Sequence, residues 1–232
     1  MAVHMQGQEL HTAGRDVSTL TQDEVLTYET IIAALAAQDF CISDAFFSQP
    51  EVAQLRQNML LQYQQQDFHQ AAIGNLDHEQ VVQSIRGDQI HWLDESTHNP
   101  IEAIFFNKVG QFIQYLNQTC YMGIEESEFH YAVYTEGTFY QKHVDAFQND
   151  DRRTLSMVLY LNEEDWQDEF GGQLTLYLPD TQGIEQELNV LPLVGRLAIF
   201  NSKTIPHEVK PVKHTRYSIT GWLKTRPMSL HI

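Results

Sequence analysis

Phe129-His130-Tyr131-Ala132-Val133-Tyr134 opens a series of short β-rich segments, and that series decides the fold. Most of its residues are aromatic or β-branched, types that fit a pleated, half-buried surface. Similar segments follow at 155–161, 173–178, 188–190, 196–200 and 217–223. Gly137, Gly171-Gly172, Pro179-Asp180, Gly183 and Gly195 break the chain between them. Many short strands separated by turn residues predict a sandwich or barrel.

Upstream of this half the period changes. Thr21-Gln22-Asp23-Glu24 opens a helix to about residue 37, with Leu26, Ile31, Ile32 and Leu35 as its apolar stripe. Residues 40–42 read as a short strand. Residues 49–66 form a second helix with Val52, Leu55, Met59 and Leu60 on one face. Residues 67–85 have no period and read as a long loop, either an ordered lid or disordered. An apolar piece follows around Ile90 and Trp92. Residues 100–119 give a long helix, with Phe105, Val109, Phe112 and Leu116 in its buried stripe. Helices first and strands later predict an α+β domain with a mainly β core and helices on one side. Residues 1–20 read as a flexible tail and 21–232 as a single domain.

Composition bounds the function. The 232 residues carry 14 Lys and Arg against 31 Asp and Glu, a formal charge of -17. Such a chain repels phosphate backbones and anionic lipid, so nucleic acid and membrane surfaces are not expected partners. No apolar run is long enough to span a bilayer. Two cysteines, Cys41 and Cys120, make neither a disulfide framework nor a Cys-based zinc site. They read as two reduced, buried thiols, and a cytoplasmic location is expected.

The chemistry gathers in the β half. His143-Val144-Asp145 follows a β-rich run, and alternate strand residues share a face, so His143 and Asp145 converge while Val144 points away. A facial metal site needs one more nitrogen donor, and His207, His214 and His231 are the downstream choices. His207, beyond the segment at 196–200, reads as a strand-edge residue able to reach the pair. Two His and one carboxylate with open positions suit non-haem iron, although imidazole also suits zinc and nickel. Arg216 enters an apolar strand nine residues after His207. A buried Arg needs an anion, which is either a ligand carboxylate or one of the chain's own acids.

Four blocks, in order, resemble the Fe(II)- and 2-oxoglutarate-dependent prolyl 4-hydroxylases, of the hypoxia-inducible-factor type and their bacterial relatives. They are Ile85-Arg86-Gly87-Asp88-Gln89-Ile90-His91-Trp92 and Tyr140-Gln141-Lys142-His143-Val144-Asp145. Then come Leu159-Tyr160-Leu161-Asn162 with Trp166 and Gly171-Gly172, and Pro206-His207-Glu208-Val209 running on to Arg216-Tyr217-Ser218-Ile219-Thr220-Gly221-Trp222. The resemblance covers residues 40 to 224. It implies a double-stranded β-helix, a jelly-roll variant, buttressed by the N-terminal helices.

By motif position it implies that His143, Asp145 and His207 hold Fe(II), and that Arg216 binds the distal carboxylate of 2-oxoglutarate with Tyr160 beside it. Tyr134 would line the cosubstrate pocket, and Leu174 and Trp222 are either pocket wall or plain core. Arg86, Asp88, Arg153 and Tyr140 would serve the substrate. Arg86 and Asp88 would pin the base of the 67–85 loop by pairing, or form an ordinary turn. Arg153 would lie near the substrate groove, or be a solvated strand end. The implied reaction consumes O2 and 2-oxoglutarate, releases succinate and CO2, and hydroxylates a prolyl residue in a protein, with ascorbate as accessory reductant. Bacterial relatives point to translation elongation factor Tu as such a substrate. The alternatives are a hydroxylase of a free amino acid, a small metabolite or a lysyl side chain, or a non-catalytic sensor of metal or 2-oxoglutarate.

Overall fold

The computed structural model describes residues 8–9, 17–71, 85–146, 152–163 and 165–226. Three helices come first. α1 (Gln22–Gln38) starts on a reciprocal cap: the Glu24 amide donates to Thr21 Oγ1 at 3.2 Å, and the Thr21 amide donates to Glu24 Oε2 at 2.9 Å. It stops at Asp39, whose φ of 64° is left-handed. α2 (Gln49–Gln64) uses Ser48 and Glu51 in the same way, with Pro50 in its first turn. α3 (Glu102–Cys120) is the most strongly amphipathic and buries Phe105, Val109, Phe112 and Leu116.

The strands are β1 (Gln8–Glu9), β2 (Phe40–Ser43), β3 (His69–Gln70), β4 (Gln89–Trp92), β5 (Ile124–Tyr134) and β6 (Tyr140–His143). Then follow β7 (Arg153–Tyr160), β8 (Leu174–Pro179), β9 (Glu185–Val190), β10 (Leu197–Asn201), β11 (His207–Val209) and β12 (Arg216–Thr225). The major sheet runs β2-β10-β7-β12-β5-β4-β3, with β1 also on β5; the minor sheet runs β6-β11-β8-β9. Neighbours in both are antiparallel.

Alternation along the major strands sets up two layers. Leu155, Met157 and Leu159 of β7, Leu197 and Ile199 of β10, and Ile219 and Leu223 of β12 pack against the helices. The intervening Val158, Tyr160, Ala198 and Phe200 face Leu174, Leu176 and Val190 of the minor sheet. The two antiparallel sheets packed face to face, with helices on one outer side, are the jelly roll expected from the sequence.

Local departures have local causes. Leu26 is exposed, because the buried row of α1 is Tyr28, Ile31, Ile32 and Leu35, and Leu26 lies off that spacing. The 67–85 loop begins late: His69–Gln70 pairs with Gln89–Ile90 at the sheet edge. Residues 72–84 of that loop lie outside the described residues. Within the 1–20 tail, Gln8–Glu9 pairs with Glu126–Ser127 on the edge of β5 that β4 leaves open, and Val17–Thr19 makes a 3-10 turn; the rest of 1–16 lies outside the described residues. Cys41 is buried, but Cys120 ends α3 and is exposed. Among the described residues no helix is long and apolar enough to cross a membrane.

Candidate active site

β6 ends at His143, and Asp145 lies just past the strand end rather than within it. Val144 is exposed, so the pair still converges. His207 does not sit at an edge: it opens β11, inside the minor sheet, with His143 of β6 on one side and Leu176 of β8 on the other. The two imidazoles are thus cross-strand neighbours, their centroids 4.3 Å apart. One donor atom from each of His143, Asp145 and His207 falls within 4.8 Å of the others. His143 Nε2 is 3.3 Å from Asp145 Oδ1, and His207 Nε2 is 3.5 Å from Oδ2.

Backbone carbonyls fix both rings. His143 Nδ1 lies 2.7 Å from Gln141 O, and His207 Nδ1 lies 3.1 Å from Ile205 O. A carbonyl only accepts, so each Nδ1 carries the hydrogen and each Nε2 is left for a metal. Tyr140 stacks on His143 at 3.8 Å, and Phe200 packs edge-on to His207 at 4.6 Å. Burial pushes His207 down to about 4, against the pull of the Asp145 charge, so this imidazole is neutral at neutral pH. Burial would push the Asp145 carboxyl up, but His207, His143 and the Arg153 cation together hold it well below the ordinary carboxylate range. Two neutral-capable nitrogens and one carboxylate oxygen form a donor set suited to Fe(II).

These groups line a narrow cleft between the sheets. Arg216 opens β12 opposite Tyr134 of β5 and is 1% exposed. No carboxylate among the described residues pairs with it. Nη1 donates to Ser218 Oγ at 3.3 Å, and Nε has no partner. The guanidinium lies 5.0 Å from the Tyr134 ring and 4.9 Å from the Tyr160 ring. The Tyr160 hydroxyl is also buried, beside the guanidinium and with no acceptor among the described residues. Burial raises the Tyr160 phenol and the Arg216 charge opposes the rise, so it remains a donor. Tyr134 is likewise raised, well above its ordinary value, mainly by burial. A buried cation and a phenol without an acceptor suit a carboxylate at this end of the cleft. Gly172, at φ +69°, lets the Arg216 stem pass, since a Cβ there would lie 3.1 Å from Arg216 Cδ.

The remaining expected residues divide. Leu174 and Trp222 are both core and cleft wall. Arg153 is no solvated strand end. It pairs with Glu128 at 2.7 Å, lies 3.6 Å over the Trp222 ring, and donates from Nη1 to Asp145 O at 3.2 Å. Arg86 and Asp88 do pair, Nε to Oδ1 at 2.7 Å and Nη2 to Oδ2 at 2.9 Å. Asp88 is fully buried in the cleft wall with both oxygens engaged by Arg86. Arg86 also lies 4.8 Å from the Tyr140 ring. The sequence reading missed two residues of the cleft region. His130 is buried in the cleft wall with Nδ1 unpartnered, and burial pushes it down to about 3. Ser156 meets Asp145. Each stands as a polar residue inside an apolar strand, which is the signal that was available.

A family model described as the 2OG-Fe(II) oxygenase superfamily matches residues 129–224. The Mus musculus protein named prolyl hydroxylase EGLN3 is 28% identical over 212 residues, covering 86% of this chain and 84% of that protein. The crystal structure of a Pseudomonas putida prolyl-4-hydroxylase is similar with a TM-score of 0.75 and 34% identity, over 86% of this chain and 100% of that one. A Trichoplax adhaerens prolyl hydroxylase, solved in complex with a hypoxia-inducible-factor oxygen degradation domain peptide, is similar at 0.75 and 28%, over 90% and 96%.

Proposed function

We propose, from the premise that the chain belongs to the 2OG-Fe(II) oxygenase superfamily and to its prolyl hydroxylases, that it hydroxylates a prolyl residue presented by another protein. It is a dioxygenase that uses Fe(II), 2-oxoglutarate and O2. The observation that carries the residue assignment is the cleft itself: three metal-competent atoms at one end, and at the other a buried guanidinium whose Nε has no partner beside a buried phenol without an acceptor.

Bound iron and 2-oxoglutarate together supply oxidative decarboxylation to succinate and CO2, with insertion of one oxygen atom into a C–H bond. The protein's work is to bind and orient. His143 and His207 present Nε2, with their rings fixed by carbonyls, and Asp145 supplies the carboxylate. Arg216 and Tyr160 grip the distal carboxylate of the cosubstrate, which sets its reach toward the three ligands. Tyr134 and Leu174 wall this end and exclude water. Trp222, Arg153, Arg86 and Tyr140 form the side from which a peptide enters.

For the partner, the Trichoplax relative's bound peptide supports a peptide segment of another protein as substrate. Translation elongation factor Tu is the first protein to test. A cytoplasmic location and stimulation by ascorbate complete the proposal. The test is anaerobic titration of the iron-loaded protein with 2-oxoglutarate, reading the visible charge-transfer band. The band is expected in wild type and absent in His143→Ala. Succinate formation stimulated by prolyl peptides, with one oxygen atom added to the peptide by mass spectrometry, is expected next. Stimulation by free amino acids alone would replace the protein substrate with a small molecule.

A further inference from the structure

Asp145 stands beyond the end of β6 and needs tethers that a strand would otherwise provide. Three are present. Arg153 Nη1 holds its carbonyl at 3.2 Å. The next amide, of Ala146, donates to Ser202 O at 3.1 Å. The Ser156 hydroxyl donates to Asp145 Oδ2 at 2.6 Å. The third acts on the carboxylate itself. Ser156 is 1% exposed and lies in mid-strand on β7, between Leu155 and Met157, which face the helices. Its own oxygen lies 2.8 Å from Ser202 Oγ, and Ser202 is completely buried.

The ionised carboxylate only accepts, so the Ser156 hydrogen points at Oδ2. Ser202 must then be the donor to Ser156. The chain of hydroxyls runs one way, Ser202 to Ser156 to Asp145. Oδ1 lies 3.3 Å from His143 Nε2, while Oδ2, besides taking the Ser156 hydrogen, lies 3.5 Å from His207 Nε2. The two oxygens therefore differ: Oδ2 carries the Ser156 hydrogen bond, and among the described residues Oδ1 has no hydroxyl on it and is the freer of the two for a metal.

We infer that Ser156 is a positioning residue that holds Asp145 in a one-oxygen presentation to the metal, with Ser202 orienting its hydroxyl. The inference rests on the assignment of Asp145 as a metal ligand. Partners behind a ligand of this kind are worth about 10- to 100-fold in metal affinity.

The experiment measures Mn(II) affinity by electron paramagnetic resonance, without cosubstrate or turnover, in wild type, Ser156→Ala, Ser156→Thr and Ser202→Ala. Circular dichroism checks that each is folded. Ser156→Ala is expected to bind about 10- to 100-fold more weakly. Ser156→Thr, which keeps the hydroxyl, should stay within a few-fold of wild type, and Ser202→Ala should fall between them. Wild-type affinity in Ser156→Ala overturns the inference. So does equal loss in Ser156→Thr, which would make the effect one of packing. If Ser156→Ala fails to fold, the Thr and Ser202→Ala pair decides, since unchanged affinity in Ser202→Ala with loss in Ser156→Thr contradicts the hydroxyl chain. Failure of wild type itself to bind Mn(II) would instead count against the metal site as a whole.

Discussion

Arg216 is a fully buried cation with no carboxylate paired to it among the described residues, and a charge in that position is costly until an anion arrives. Removing it relieves the empty cleft and weakens the loaded one. Arg216→Ala is therefore expected to weaken 2-oxoglutarate binding by about 100-fold, roughly 3 kcal/mol, while Mn(II) affinity stays near wild type. Arg216→Lys should recover little, because a point charge cannot reproduce the planar fork. Isothermal titration with 2-oxoglutarate and with Mn(II) separates the two effects; equal loss of both would remove Arg216 from the cosubstrate end. At this scale the site was largely legible. His143, Asp145, His207 and Arg216 are residue types whose burial demands a partner, and they stand in a recognisable order. Ser156 and His130 were not legible, because a single hydroxyl or imidazole in an apolar strand does not announce which neighbour it meets.

Between residue and fold stand short connecting elements. Arg86 and Asp88 flank Gly87, just before β4, and Arg86 bridges to Tyr140 on β6. A Cβ on Gly87 would lie 2.8 Å from Thr138 Cβ, so this turn closes tightly on the segment leading into β6. The pair thus joins an edge of the major sheet to the strand that carries His143. Burial would raise the Asp88 carboxyl, but Arg86 overcomes it and lowers it. The stabilisation is fully present above the ordinary carboxylate range and fades only as pH falls through the lowered value.

In Arg86→Gln, burial acts on Asp88 without the partner that chiefly opposes it, and its carboxyl rises. That variant is expected to lose about 3–5 kcal/mol near neutral pH and to recover as acid protonates Asp88. Denaturant unfolding at several pH values should show the gap to wild type narrowing as pH falls; a constant gap would assign the loss to packing. Long helices and strands were readable from their periods. β6, β11 and β3 were not: with four, three and two residues they are too short to show alternation, and only sheet pairing defines them. The two metal-competent histidines sit on the first two of these, which is why His207 read as an edge residue.

At the scale of the molecule, the major sheet separates two kinds of interior. On one side lies an apolar layer built from α1, α2 and α3; on the other lies the cleft with its buried charges. Phe112 is completely buried in the helical layer, where its ring meets Tyr28 and Phe46. Phe112→Ala is expected to cost about 3–5 kcal/mol of stability. At temperatures where the variant remains folded, its Mn(II) affinity should match wild type. A parallel loss of affinity in the folded variant would mean that the sheet transmits strain from one face to the other. The layering was legible because helices precede strands and the strands are short. How the second sheet assembles was not, because that depends on pairings between segments far apart in sequence, such as β11 with β6 and with β8.

β12 shows what this division demands of the chain. Arg216, Thr220 and Trp222 face the cleft, while Ile219 and Leu223 face the helices. The strand is in effect written in a reading frame of two, with chemistry on one set of positions and cohesion on the other. A single inserted residue near Ser218 would be a frameshift without a nucleotide: beyond it, either Trp222 would turn toward the helices and Leu223 toward the cleft, or a bulge would have to absorb the extra residue. Two inserted residues would restore the frame but slide the pairing along β5 and β7. Changes of length are therefore best tolerated in the turns.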